Sequence, residues 1–148
     1  MSWYSRRSFV LAAAALSGCG LAPAYGPGGA ATPLQRSVAV DTPDSRPGFL
    51  LTRRFEQRLG RPDPARYGLS YSISLRDRAL AISASDVTSR FNKLGSVTWR
   101  LRDLDSEEVV LRGTAESFTG YSASGSTVAT QAADRDAEER LMTILTDS

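Results

Sequence analysis

Strict alternation of apolar and small polar residues is the feature that most constrains the fold of this chain. Over residues 69–75 every second residue is apolar and the residues between are serines. The apolar positions are Leu69, Tyr71, Ile73 and Leu75. Because successive side chains of a strand point to opposite faces, the pattern predicts a strand with one buried and one small polar face. The alternation returns in shifted phase at residues 80–84, so residues 76–78 form either a turn or part of one bulged strand.

Two further alternating stretches predict a hairpin. Residues 90–103 and 109–115 both carry apolar residues at odd-numbered positions, and the polar segment 104–108 between them predicts the hairpin loop. The phase breaks just before Gly95, which predicts a β-bulge there. The serine-, threonine- and glycine-rich segment 117–127 is predicted to be a loop.

The hairpin register predicts a concentration of positive charge. Pairing Leu101 with Leu111 sets large residues opposite small ones and places Arg100 directly opposite Arg112. Like charges in this arrangement cost up to roughly 1 kcal/mol unless acids or a ligand neutralise them. The arginines are therefore either part of an ordinary charged surface or a site for a phosphate-bearing partner. The candidate phosphate contacts are Arg100, Arg102 and Arg112, with Arg90 and Lys93 as further candidates.

Two helices and a short strand complete the predicted elements. Residues 36–42 predict a strand, and Pro47 opens a helix that ends before Gly60. The basic outer face of this helix is interpreted as a solvated surface. Ser126 or Thr127 caps a second helix, whose apolar residues recur at helical spacing toward the C-terminus.

These elements predict an α+β fold. A small, mostly antiparallel sheet of about four strands has both helices packed on one face, where they bury the odd-numbered apolar residues. The other face of the sheet stays polar, with serines and arginines.

The N-terminus predicts export and lipid attachment. A basic pair, Arg6 and Arg7, precedes a short apolar core and the motif Leu16-Ser17-Gly18-Cys19, which resembles the bacterial lipobox. Residues 1–18 are then a signal peptide and Cys19 is the lipidated first residue of the mature chain. Whether the basic pair directs twin-arginine or general export stays open. Residues 19–35, rich in glycine, proline and alanine, predict a flexible tether to a folded domain at 36–148.

Composition excludes several functions. The chain has no histidine and one cysteine, which excludes histidine-based catalytic triads and the common zinc sites. Removal of the signal lowers the basic residues from 18 to 16, against 16 acidic ones. A neutral mature chain argues against nucleic-acid binding, and no cofactor is expected.

Both ends of the chain resemble a known family. The sequences Cys19-Gly20-Leu21-Ala22-Pro23-Ala24-Tyr25-Gly26 and Arg135-Asp136-Ala137-Glu138-Glu139-Arg140 resemble the mature start and the C-terminal helix of lipopolysaccharide-assembly lipoproteins of the LptE family. The predicted order of elements agrees with that family. The resemblance implies a lipoprotein that sits within the outer-membrane barrel LptD, helps it to assemble and contacts lipopolysaccharide.

The expected function is binding and assembly, not catalysis. The resemblance implies LptD and lipopolysaccharide as partners, and a lipid anchor at Cys19 on the periplasmic side of the outer membrane. One alternative is an auxiliary lipoprotein of a lipid-trafficking ABC-type transporter. Another is a lipid-anchored hydrolase, although the segment 120–124 lacks the second glycine of a nucleophile elbow.

Overall fold

A computed structural model describes residues 32–82, 88–123 and 125–148, and residues 34–148 form one folded unit. The predicted signal peptide, Cys19 and nearly all of the tether lie outside the described residues. The elements in chain order are a 3-10 turn (Thr32–Leu34), β1 (Val38–Val40), α1 (Arg46–Leu59), β2 (Tyr67–Ile82), β3 (Thr88–Asp103), β4 (Val109–Ser122) and α2 (Thr127–Asp147).

The four strands form one sheet in the order β1-β2-β3-β4. The pairs β2–β3 and β3–β4 are antiparallel, whereas β1 runs parallel to β2 because α1 connects them as a crossover. The sheet is therefore mixed, and the predicted α+β class with two helices is confirmed. The register predicted for the hairpin is also confirmed, since Leu101 pairs with Leu111 and Arg100 with Arg112.

The ambiguity at residues 76–78 is resolved in favour of one strand. Arg76 pairs with Leu94 and Arg78 with Asn92, so β2 continues without a turn. The register shifts only beyond Ala79. Asp77 interrupts the apolar pattern of the odd-numbered positions, but the backbone ladder continues through all three charged residues.

The predicted bulge at Gly95 is wrong. Gly95 pairs regularly with Leu75 on one side and Ser117 on the other. A Cβ atom at Gly95 would lie 2.9 Å from side-chain atoms of both Leu141 and Leu145 in α2. The glycine is needed there because α2 approaches β3 closely, and the broken sequence pattern comes from side chains and not from the backbone.

The predicted loop at 117–127 is wrong over its first half, because β4 continues to Ser122. Thr119 is buried and its Oγ1 donates a hydrogen bond to the carbonyl oxygen of Ala137 at 2.9 Å. Tyr121 stacks on Phe91 with ring centroids 5.4 Å apart. These contacts with α2 and β3 hold a weakly strand-forming sequence in the sheet.

Both helices cover the odd-numbered face of the sheet, as predicted. One buried cluster contains Leu51 of α1, Val97 of β3 and Leu141 of α2, and a second contains Leu69 and Leu101. Trp99 packs against both clusters and so joins them. Burial of such aliphatic side chains stabilises the fold by roughly 1.5–3 kcal/mol each.

The basic face of α1 forms ion pairs with acidic residues of α2. The pairs are Arg46–Glu138, Arg53–Glu139 (2.8 Å), Arg54–Asp147 (2.7 Å) and Arg58–Asp147 (2.9 Å). The surface is exposed, as the sequence indicated, but it also joins the two helices. A hydrogen bond from Arg54 is the main cause that holds the pKa of Asp147 below its ordinary value; burial opposes it, and a hydrogen bond from Arg58 lowers the pKa further.

A substitution at Gly113 tests the contact between β4 and Trp99, the residue whose ring joins the two buried clusters. A Cβ atom at Gly113 would lie 2.8 Å from Cζ2 of Trp99. We expect Gly113→Ala to lower the free energy of unfolding by about 1–3 kcal/mol through overpacking. Gly120→Ala is the control on the same strand, because the nearest atom there is 3.5 Å away. Equal effects of the two substitutions in urea denaturation would contradict the predicted contact.

A substitution at Asp147 tests the ion pairs that join α1 to α2. Because its folded pKa is depressed, its stabilising contribution is present above the unfolded pKa and is lost as the pH falls through the folded pKa. We expect Asp147→Asn to cost about 1 kcal/mol at pH 7 and to cost nothing at a pH below the folded pKa. Asp44→Asn, on an exposed residue before α1, is the control. A cost that does not depend on pH would contradict this assignment.

Candidate functional site

The sheet face that the helices leave uncovered is the candidate site. We call it the open face, and it consists of the even-numbered residues of β2, β3 and β4. Its centre is small and polar, and the hydroxyls of Thr98 and Thr114 lie 3.3 Å apart across β3 and β4. Serines from β2 line the adjoining rows. Such a surface offers many hydrogen-bonding groups and few apolar ones.

Three arginines at one end of the open face form what we call the arginine cluster: Arg100, Arg102 and Arg112. All three are exposed, and Arg100 lies directly opposite Arg112 in the sheet. Within the described residues none of the three forms a salt bridge, and Arg102 faces the apolar Val109 across the strands. The predicted like-charge pair is therefore present without a salt bridge to an acid among the described residues; Glu116, on the same face, lies opposite Ser96.

Arg90 lies on the same face but at the other end. At about 3.3 Å per residue, it is roughly 33 Å from Arg100 along β3, so a single phosphate cannot bridge them. Arg90 pairs with Ala81, and two exposed arginines of β2 lie along the same face: Arg78 opposite Asn92, two positions from Arg90, and Arg76 opposite Leu94, four positions from it. Sequence reasoning missed these two arginines as members of the face. The signal was present, since they continue the even-numbered parity of the preceding serines.

Lys93 lies on the opposite side of the sheet from the arginines. Its side chain is buried under α2, and Nζ forms ion pairs with Asp134 at 2.8 Å and Asp77 at 3.0 Å. It also lies 5.7 Å from the ring centroid of Tyr121. Burial alone would lower the pKa of Lys93, but hydrogen bonding and charge attraction to Asp134 and Asp77 raise it above the ordinary value.

Tyr121 completes this group, in which the Lys93 side chain is buried while Asp77 and Asp134 stay 42% and 38% exposed. Burial is the main cause that raises the pKa of the Tyr121 phenol, and the negative charges of Asp77 and Asp134 raise it further. The phenol therefore stays neutral at physiological pH. The group binds the first half of α2 to β2, β3 and β4, and its ammonium is not available to a ligand on the open face.

An apolar cavity of about 220 Å³ lies on the helix side of the sheet. Its lining includes Phe55, Trp99 and Leu101, and the polar residues Thr146 and Ser148 lie at the end of α2. The lining contains no acidic or basic side chain. The sheet separates this cavity from the arginine cluster, so a small ligand group cannot touch both.

The described part of the chain offers neither a metal site nor a membrane-crossing helix. No group of three or more histidine, cysteine, aspartate or glutamate side chains is placed to hold an ion among the described residues. None of the helices described is long and apolar enough to cross a bilayer.

The strands and helices define a small α+β domain with one open sheet face. Over residues 35–148 the sequence matches the family described as "LptE: Lipopolysaccharide-assembly". The match covers most of the chain, so this chain belongs to the LptE family. Among curated protein sequences, none matches it significantly.

Solved structures with the same fold come from several bacteria. A protein of Caulobacter crescentus CB15, assigned as a lipoprotein, is 25% identical with a TM-score of 0.64, over 76% of this chain and 83% of that one. Rare lipoprotein B of Shewanella oneidensis is 13% identical with a TM-score of 0.56, over 76% and 88% of the two chains. A minor lipoprotein of Acinetobacter baumannii is 13% identical with a TM-score of 0.55, over 76% and 87%. At 13% identity the likeness shows a shared fold.

A substitution at Lys93 tests whether its ion pairs with Asp77 and Asp134 stabilise the fold. Lys93→Gln leaves Asp77 and Asp134 without their cation, and we expect it to lower the free energy of unfolding by about 2 kcal/mol, since the two carboxylates are partly solvated. Arg90→Gln on the exposed open face is the control and should change stability by less than about 0.5 kcal/mol. Equal stability of the two variants in urea denaturation would contradict the assignment.

Proposed function

We propose that this protein is an outer-membrane lipoprotein subunit that binds the LptD barrel, helps it to assemble, and assists the transport and insertion of lipopolysaccharide. Membership of the LptE family supports this role. The observation that carries the proposal is the exposed Arg100–Arg112 pair on the open face, which forms no salt bridge with an acid among the described residues.

A phosphate group would remove the unfavourable charge of this pair. Two guanidiniums facing each other across a sheet repel, and an anion between them converts repulsion into two charge-assisted hydrogen bonds. Lipid A carries phosphates, and arginine binds phosphate through its planar fork. Arg102 extends the cluster along β3. We therefore propose that Arg100, Arg102 and Arg112 contact lipopolysaccharide phosphates.

The other candidates take different roles in this proposal. Arg90, with Arg76 and Arg78, forms a second basic group that is too distant to share a phosphate with the arginine cluster. We propose that it contacts a separate anionic group of the same large ligand. Lys93 is engaged by Asp77 and Asp134, so we assign it a structural role and exclude it from the phosphate contacts.

The N-terminal segment would hold the domain at the membrane. We propose that residues 1–18 are removed as a signal peptide and that Cys19 carries acyl chains, each buried methylene contributing roughly 0.8 kcal/mol. The tether at 19–35 spans up to roughly 55 Å when extended. That length lets the domain at 36–148 reach a barrel partner from the periplasmic side of the outer membrane.

A binding role fits the inventory of side chains better than catalysis. The chain has no histidine, and the apolar cavity has no acidic or basic side chain in its lining. The alternative, an auxiliary subunit of a lipid-trafficking transporter, predicts a different partner in the inner membrane.

The arginine cluster is tested by removing the like-charge pair. We expect Arg100→Gln with Arg112→Gln to weaken lipopolysaccharide binding at least about tenfold and to reduce its salt dependence, because charge-assisted bonds are lost. Stability should not fall, since the substitutions relieve repulsion. Arg61→Gln with Arg135→Gln, both exposed and away from the open face, is the control of equal charge. Equal binding by both double variants would remove the site assignment.

The partner and the anchor are tested together by purification from membranes. We expect detergent extraction of the full chain to recover an LptD-type barrel and a mature protein whose first residue is an acylated Cys19, both identified by mass spectrometry. Recovery of an inner-membrane transporter would favour the alternative function. An unmodified Cys19 in the mature protein would contradict lipid anchoring.

A further inference from the structure

The apolar cavity on the helix side of the sheet is elongated. Its lining crosses all four strands, from Val38 of β1 through Leu69 of β2 and Leu101 of β3 to Leu111 of β4. Leu69, Leu101 and Leu111 pair in one row across the sheet. Neighbouring strands lie about 4.8 Å apart, so the distance from β1 to β4 is about 14 Å. A volume of about 220 Å³ along that distance leaves room for one slender group.

The cavity opens beside β4. Leu111 lines the cavity and is 54% exposed, whereas Leu69 and Leu101 in the same row are 7% and 5% exposed. Ala115, further along β4, also lines the cavity and is half-buried. Exposure therefore rises from the inner strands to the outermost strand. A ligand can reach the interior from the edge of the sheet that β4 forms.

The lining offers apolar contact and few polar groups. Oγ1 of Thr146 and Oγ of Ser148 each donate a hydrogen bond of 2.7 Å to a carbonyl oxygen of α2. The hydroxyl of Tyr71 lies 3.4 Å from Oγ1 of Thr52. All three hydroxyl groups of the lining therefore already have partners within the fold. A peptide segment in the cavity would bury amide groups without partners, which is unfavourable, whereas a hydrocarbon chain has no such groups.

The volume sets the length of chain that the cavity can hold. An apolar cavity of about 150 Å³ is large enough to bind one benzene molecule. On the same scale, about 220 Å³ holds roughly eight or nine carbons. The elongated lining favours carbons in a row over a compact ring. An unbranched acyl chain fits this description, and its polar end can stay in water at the opening beside Leu111.

We propose that the apolar cavity binds one unbranched acyl chain. The methyl end lies inside, between the sheet and the helices, and the carboxyl or ester end lies at the edge of β4. Leu111 and Ala115 form the opening, and the ring of Trp99 lies beside the chain. This site is on the other side of the sheet from the arginine cluster, and it requires no phosphate.

The position of the opening connects the acyl site to the open face. Leu111 also borders a surface pocket that it shares with Arg100 and Arg112. A lipid that carries a phosphate can therefore contact these arginines and pass its chain around the edge of β4 into the cavity. This connection rests on the proposed function, whereas the acyl site itself does not.

Fluorescence quenching tests the acyl site. The full chain carries Trp3→Phe, which leaves Trp99 as its one tryptophan, and Cys19→Ser, which prevents acylation. The probe is an unbranched fatty acid with bromine on its terminal carbon, which quenches an indole that it contacts. We expect saturable quenching. Unbrominated fatty acids should compete with an affinity that rises roughly fourfold per methylene and levels off once roughly eight or nine carbons are inside.

Filling the opening provides the matched variant. Ala115→Leu adds carbon atoms to the lining, and we expect it to weaken binding of the probe at least tenfold. Ala79→Leu is the control, because Ala79 is exposed on β2 and lies outside the lining. Urea denaturation shows whether both variants fold. If Ala115→Leu does not fold, the dependence on chain length in the natural cavity decides.

Competition distinguishes the sources of the acyl chain. Displacement of the probe by lipopolysaccharide would assign the cavity to a chain of that lipid, and displacement by free fatty acids alone would assign it to those acids. Arg100→Gln with Arg112→Gln should leave binding of the probe unchanged, so the acyl site and the phosphate contacts succeed or fail separately. Absence of saturable quenching, equal quenching in Ala115→Leu, or affinity that keeps rising with chain length would overturn the proposal.

Discussion

The packing of both helices on one face of the sheet is the constraint on which the rest of the structure depends. Leu51 of α1 and Leu141 of α2 meet Val97 in one cluster, and Trp99 joins that cluster to a second around Leu101. Most apolar residues of the strands are then needed on the odd-numbered face. The even-numbered face is left mainly to serine, threonine and arginine, with Leu94 and Phe118 as a paired apolar exception. Its polarity is a consequence of how the core is built.

The helix side and the open face of the sheet also differ in whether their charged residues are paired. On the helix side, the basic residues of α1 meet the acidic residues of α2, and Lys93 meets Asp77 and Asp134. On the open face, Arg100 and Arg112 face each other without such partners in the described residues. Charges balanced within the fold stabilise it, whereas unbalanced charges are available to a ligand or to another chain.

Sequence reasoning predicted what depends on periodicity and failed where tertiary contacts decide. The alternation fixed the faces of the strands, and the pairing of large with small residues gave the correct register of Arg100 and Arg112. Gly95 was misinterpreted because a close approach of α2 leaves the same glycine signal as a bulge. Residues 117–122 form a strand because Thr119 contacts α2 and Tyr121 contacts β3. These contacts cannot be predicted from the composition of the segment.

Photo-crosslinking in cells tests most directly whether the open face meets lipopolysaccharide. A photoreactive phenylalanine analogue in place of Thr98 lies at the centre of the open face, and the same analogue in place of Gln57 lies on the exposed surface of α1. We expect lipopolysaccharide adducts at Thr98 and none at Gln57. Adducts at Gln57 with none at Thr98 would contradict the account, because the ligand would then contact the helix side of the sheet.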